Sequence, residues 1–176
     1  MGMGELGRTA AERLLGLGYR VAGWSRTGRK LAGVDCHAGA DGLGAFLAMT
    51  DILVVLLPHT LETEGIIDYA LLSRLRRDGP LSGPVLINAG RGKLQKEADI
   101  LRALDDGTLH EASLDVFEQE PLDPASPLWQ HERVFITPHV AAESDPAHLV
   151  PVMLDQMDNH EAGRPLAKVV DRKLGY

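Results

Sequence analysis

The sequence has one cysteine, Cys36, in 176 residues, so no internal disulfide can staple it, which agrees with a reducing compartment. Long apolar runs are also missing: the longest, residues 52–57, is far below the roughly 20 residues of a membrane-spanning helix. Basic charge is scarce, with 18 Lys plus Arg against 25 Asp plus Glu and a formal net charge of -7 at pH 7. No positive field is available to hold a nucleic acid or an anionic membrane. The chain opens Met1-Gly2-Met3-Gly4-Glu5, with neither the basic nor the apolar region of a secretion signal. We expect no metal, nucleic-acid or membrane partner. What is left, 44% hydrophobic and 24% charged residues, is the composition of a cytoplasmic single domain with a sizeable core.

Glycine, by contrast, is placed with a pattern. Gly2, Gly4 and Gly7 spell G-x-G-x-x-G, and residues 8–17 follow with helical spacing of Ala10, Ala11, Leu14 and Leu15. In a dinucleotide site the second glycine lets backbone approach a pyrophosphate and the third lets helix pack on strand. The strand that should deliver the chain to this turn does not precede Gly2, and a plain turn is the alternative. Residues 20–24 read as a short strand after the Gly16-Leu17-Gly18 stop. Its end falls about 20 residues past the glycines, where an acidic residue selects NAD and an arginine the 2′-phosphate of NADP. Ser25-Arg26-Thr27 stand there, with no acidic residue between Arg20 and Val34. A solvated basic loop is one reading. The other is a phosphate gripped by Arg26 with help from two hydroxyls.

Further along, residues 52–57 read as a parallel strand covered on both faces, residues 60–77 as a helix with a basic end, 85–88 as a strand, 96–106 as a helix stopped by Gly107, and 112–116 and 134–137 as strands. Residues 117–130 form a proline-rich loop. A last helix spans about 146–162, with Pro151 expected to kink it or to mark its true start. This alternation predicts an α/β fold with a doubly wound parallel sheet of Rossmann type. In such a sheet ligands lie beyond the carboxyl ends of the strands. That edge would collect the glycine turn, Arg26, Pro58-His59-Thr60, Gly90-Arg91-Gly92, Glu118-Gln119-Glu120 and Pro138-His139.

Each of these side chains has an ordinary alternative: a surface turn for Arg91, a buried structural histidine for His139, a solvated carboxylate for Glu120. Together they suit one reaction. Reduction of a 2-oxo acid needs a cation for the substrate carboxylate and ketone, and a proton donor for the oxygen that gains charge. An imidazolium paired with a carboxylate keeps its proton near neutral pH.

Several segments resemble the D-isomer-specific 2-hydroxyacid dehydrogenases. They are Gly2-Met3-Gly4-Glu5-Leu6-Gly7, Leu56-Leu57-Pro58-His59-Thr60 with Thr63 and Gly65, Asn88-Ala89-Gly90-Arg91-Gly92, the run from Leu114 to Pro121, and Thr137-Pro138-His139-Val140-Ala141-Ala142. Trp24-Ser25-Arg26, Ser126-Pro127-Leu128-Trp129 and the ending Val170 to Tyr176 are similar to the glyoxylate/hydroxypyruvate reductase A branch. The resemblance implies reduction of glyoxylate or hydroxypyruvate with NADP(H) preferred and NAD(H) possible. It implies Arg91 as substrate-binding cation, His139 as general acid and Glu120 as its partner. Gly2, Gly4, Glu5, Leu6, Gly7, Ser25, Arg26, Thr27, Leu57, Pro58, Ala89, Arg91, Asp115 and His139 would line the cofactor.

In this family the cofactor domain is inserted between a leading substrate-domain segment of about 100 residues and a short C-terminal return. The resemblance therefore divides the chain into residues 1–142, a cofactor-binding domain without its first strand, and residues 143–176, a helix and return segment. It implies a homodimer at full length and weak or no turnover for these 176 residues alone. Two other readings stand beside it: a nucleotide-binding or dimerising chain without turnover, and a related dehydrogenase of phosphoglycerate or formate type.

Overall fold

Glycine and proline set most of the element boundaries. The computed structural model describes residues 1–167 and 169–172; the ending read above at Val170 to Tyr176 has its last four residues, from Lys173, outside the described residues. The chain divides into two compact units, Met1–His139 and Val140–Tyr176. The first contains α1 (Glu5–Gly16), β1 (Val21–Ser25), β2 (Val34–Ala38), α2 (Gly39–Ala48), β3 (Ile52–Val55), α3 (Tyr69–Leu72), β4 (Val85–Asn88), α4 (Glu97–Asp105), β5 (Glu111–Leu114) and β6 (Val134–Ile136), with 3-10 turns at Gly92–Leu94 and Pro127–Gln130. The second contains α5 (Pro146–Glu161).

All strand pairing is parallel, β1 with β2 in one sheet and β3-β4-β5-β6 in another. Residues 1–3 join the two sheets at their carboxyl ends. The Gly2 N–H donates to the Trp24 carbonyl at 2.9 Å, the Leu56 N–H donates to the Met1 carbonyl at 2.9 Å, and the Met1 nitrogen donates to the Val54 carbonyl at 2.6 Å. Met1 and Met3 are buried. A Cβ on Gly23 would lie 2.7 Å from the Met3 sulfur, so this glycine in β1 makes the room that Met3 fills. The glycine turn is thereby anchored to both sheets.

The core consists mainly of leucines and isoleucines: Leu47, Leu53, Ile67, Leu72, Leu86, Leu94, Ile100 and Leu104 are fully buried. In α4, Ile100, Ala103 and Leu104 form the buried stripe, the i, i+3, i+4 spacing of one helix face.

Two expectations need correction. Residues 60–77 do not form a long helix; only Tyr69–Leu72 is helical, capped by the Asp68 carboxylate, which accepts from the Leu71 N–H at 2.8 Å. Upstream, the Thr63 hydroxyl accepts from the Thr60 N–H and donates to the Pro58 carbonyl, both at 2.8 Å, and Gly65 takes φ +62. Such local bonds offer the backbone an alternative to helix, and Ile67 is fully buried in a parallel bridge with Gln95. Second, β3 is not covered on both faces throughout: Leu53 and Val55 are buried but Ile52 is 42% exposed. The last helix starts where expected, with Asp145 as cap and Pro146 in the first turn, and Pro151 lies inside it and does not mark its start.

Two elements had no clear signal. β2 is only half-buried and alternates weakly. α2 contains Gly39, Gly42 and Gly44, poor helix formers, and is held by packing on β1 and β2 with Phe46 and Leu47 buried.

Candidate functional site

The glycine turn presents a bare helix end. Gly4 caps α1 without any side-chain bond, and the first intrahelical bond runs from the Arg8 N–H to the Gly4 carbonyl at 2.9 Å. The amides of Glu5, Leu6 and Gly7 therefore have no partner within the helix, and the helix dipole adds positive potential there. A Cβ on Gly7 would sit 1.8 Å from the Gly2 carbonyl oxygen, so only glycine closes this turn. At Gly4 a Cβ would meet nothing within 4 Å: open space lies over the amides. The Glu5 and Leu6 side chains are exposed.

At the end of β1, Ser25 Oγ is buried without a hydrogen-bond partner among the described residues. Arg26 follows and pairs with Glu62 at 3.4 Å, while Thr27 is exposed. A bare amide cluster, an unspent hydroxyl and an arginine fit a phosphorylated dinucleotide. Leu57 is buried and Pro58 and Ala89 are half-buried at the ends of β3 and β4.

Beyond β4 the chain turns through Gly90-Arg91-Gly92. Buried Asn88 holds it: its Oδ1 accepts from the Gly90 N–H at 3.1 Å and its Nδ2 donates to the Arg91 carbonyl at 3.3 Å. The Arg91 side chain is exposed, with Nη1 donating to the Gly90 carbonyl at 2.7 Å. Its remaining donors face solvent, in the fork that suits a carboxylate.

Glu120 and His139, 19 residues apart, meet at 2.8 Å between Glu120 Oε2 and His139 Nδ1. The other carboxylate oxygen accepts from the Phe117 N–H at 3.0 Å. Burial pushes the Glu120 carboxyl up, but the bonds from His139 and Phe117 and the attraction of the imidazole charge outweigh it and hold the group below its ordinary 4.5. His139 has φ 56, a left-handed conformation that is uncommon for a side chain of this size. Asp115, buried at the end of β5, accepts from the Thr137 hydroxyl at 2.5 Å and raises the Glu120 carboxyl slightly through like charge.

Arg26, Leu57, Ala89, Arg91, Asp115 and His139 all follow the carboxyl ends of parallel strands. Glu120 reaches that edge through its bond to His139. His59, on the same edge, pairs instead with Glu64 at 3.3 Å. The residues that sequence reasoning missed are the polar supports: Thr137 on Asp115, and Gln95, 2% exposed, on Asn88. A lone glutamine ahead of a helix carries no periodic or motif signal. Its weight becomes visible only when it is found buried.

Residues 1–141 match the D-isomer specific 2-hydroxyacid dehydrogenase NAD binding domain. The whole chain is 45% identical to glyoxylate/hydroxypyruvate reductase A of Citrobacter koseri and covers 55% of that protein. It superposes with a TM-score of 0.97 on the NADPH-dependent glyoxylate/hydroxypyruvate reductase of Sinorhizobium meliloti in complex with NADP and sulfate, at 52% identity, covering 100% of this chain and 55% of that one. With a D-isomer specific 2-hydroxyacid dehydrogenase of Xanthobacter autotrophicus in complex with NADPH and MES the TM-score is 0.94 at 42% identity, covering 99% and 70%. The chain spans about half the length of the curated relatives it matches.

Proposed function

This chain belongs to the D-isomer specific 2-hydroxyacid dehydrogenases, and from that premise we propose that it forms the cofactor-binding part of a reductase converting glyoxylate, hydroxypyruvate or a similar small 2-oxo acid to the 2-hydroxy acid with NADPH. The observation that carries the reading is the 2.8 Å contact between Glu120 and His139 on the same strand edge as Arg91 and the bare helix end.

When bound, NADPH would supply a hydride to the carbonyl carbon of the 2-oxo acid. The Arg91 guanidinium binds the substrate carboxylate and draws electron density from the carbonyl, so the oxygen can accept negative charge. Nδ1 of His139 is engaged by Glu120, which leaves Nε2 to deliver the proton to that oxygen. Hydride on carbon and proton on oxygen complete the alcohol. Glu120 orients the ring and stabilises its charged form. Asp115 lies at the end of β5 beside this pair, where the nicotinamide end of the cofactor would sit. The α1 amides and the Gly4 opening would take the pyrophosphate, and Ser25, Arg26 and Thr27 the 2′-phosphate. Leu57, Pro58 and Ala89 supply the apolar lining.

In the reading, residues 1–142 are the cofactor domain and 143–176 a return segment, and the opposite wall of the cleft, which sets the 2-oxo acid side chain, lies outside these residues. The 176 residues alone then turn over weakly or not at all. The whole protein works in the cytoplasm as a homodimer, for which exposed Trp129 and Phe135 on the first unit offer apolar surface.

The test is cofactor selectivity in the whole protein. Wild type reduces hydroxypyruvate with NADPH at a higher kcat/KM than with NADH, and Arg26→Ala cuts that ratio by about tenfold or more, the effect of losing one charge-assisted phosphate contact. A ratio unmoved by Arg26→Ala overturns the cofactor assignment, and a wild type inactive on every small 2-oxo acid overturns the reaction.

A further inference from the structure

The Arg91 turn and the Glu120 loop are tied together by one buried amide. Gln95 Oε1 accepts from Asn88 Nδ2 at 2.8 Å, and Gln95 Nε2 donates to the Val116 carbonyl at 3.0 Å. Asn88 is the residue that holds the turn, through the Gly90 N–H and the Arg91 carbonyl. Val116 adjoins Phe117, whose N–H is bound by Glu120, and Glu120 holds His139. A continuous path therefore runs from the Arg91 main chain through Asn88 and Gln95 to the Glu120–His139 pair. A backbone contact lies beside it: a Cβ on Gly92 would stand 1.6 Å from the Phe117 carbonyl oxygen.

The chemistry of the two amides fixes their orientation. The Val116 carbonyl can only accept, so the Gln95 NH₂ must face it and the Gln95 carbonyl must face Asn88. Both Asn88 amide protons are then used, its oxygen is used by Gly90, and Gln95 also donates to the Glu97 carboxylate. A buried network with every polar atom satisfied is stiff, and leaving one member unpaired carries a desolvation penalty.

We propose that Gln95 is a positioning residue: it sets the spacing between the Arg91 turn and the Glu120–His139 pair without touching either charged side chain. This rests on the reductase reading above, which gives that spacing its purpose.

Two variants test it. In Gln95→Glu the shape is kept; the ionised carboxylate accepts from Asn88 but cannot donate to Val116, whereas the protonated carboxyl does both, and burial together with the Glu97 carboxylate that Gln95 meets favours the protonated form. In the whole protein, the kcat/KM of Gln95→Glu for hydroxypyruvate, divided by that of wild type at the same pH, should be about tenfold down near pH ~8 and within about threefold near pH ~6, with NADPH affinity unchanged within about twofold. Gln95→Leu should be low at both pH values. Independently of activity, the Gly90 and Phe117 amides should both exchange hydrogen about tenfold faster or more in Gln95→Leu. A Gln95→Glu ratio that is flat with pH, or exchange that rises at one amide or neither, overturns the proposal. If Gln95→Leu does not fold, the pH ratio of Gln95→Glu decides alone. If wild type reduces no 2-oxo acid, the reductase reading falls and the exchange result still decides whether Gln95 couples the two loops.

Discussion

Glu120 is a carboxylate whose neighbours favour its charge: His139 Nδ1 on one oxygen and the Phe117 N–H on the other. Because its folded pKa lies below the ordinary 4.5, the stabilisation from this pairing is present above that value and is lost as pH falls through the folded-state pKa. The pair is over a third exposed, so the effect on stability is modest, about 1 kcal/mol or less. Glu120→Gln should lower Tm slightly at neutral pH, and the difference from wild type should close as pH falls through the depressed folded-state pKa of Glu120. In the whole protein the same variant should reduce kcat by about 10- to 100-fold, because the His139 ring loses the carboxylate that orients it. An unchanged kcat would separate Glu120 from the proton transfer. Arg91, Glu120 and His139 were legible in the sequence as chemically apt residues following strands. Their pairing was legible only through the family resemblance; its 2.8 Å geometry was not, because it joins residues 19 positions apart through a left-handed backbone at His139.

Among the elements, two glycine positions separate folding from binding. Gly4 caps α1 and a Cβ there meets nothing within 4 Å, so Gly4→Ala should leave Tm within a few degrees of wild type, as removing a glycine cap costs only about 1 kcal/mol. It should still weaken NADPH binding by about tenfold or more, since the methyl group occupies the space over the helix amides. Fluorescence titration and thermal melting of one sample check both halves. Gly92→Ala places a methyl group 1.6 Å from the Phe117 carbonyl, and no side-chain rotation relieves a clash between backbones. A loss of about 2 kcal/mol or more is expected on chemical denaturation. The glycine turn and α4 were readable because their signals are local: fixed glycine spacing and a repeating apolar stripe. α2 and the segment before α3 were not. In α2 the packing of Phe46 and Leu47 overrides three poor helix formers, and before α3 the threonine side chains compete with the helix for the backbone.

On the scale of the whole molecule, the first unit has two parallel sheets whose carboxyl ends meet at residues 1–3. Met3 is 6% exposed and fills the room left by Gly23. Truncating it should create a cavity at this junction: Met3→Ala is expected to cost about 2–5 kcal/mol, measured by urea unfolding, with faster hydrogen exchange in both β1 and β3. Loosening of one sheet alone would show that the junction does not couple them. The charge of -7 matters on this scale too. An acidic molecule that takes an anionic cofactor must concentrate its attraction locally, at the helix end and Arg26, because its overall field is repulsive.

By itself, the sequence determined the parallel α/β class, the glycine turn and the residue types of a 2-oxo acid reductase. Each of these follows from periodicity, turn chemistry or a motif contained in a few neighbouring residues. The tertiary structure alone decided the left-handed backbone by which His139 meets the Glu120 carboxylate, how Asp68 and the threonines cut short the expected helix at residues 60–77, and that Gln95 stands buried between the Arg91 turn and the Glu120 loop. Those facts depend on contacts between residues far apart in sequence, and burial, which makes an unpaired amide expensive, exists only once the chain has packed.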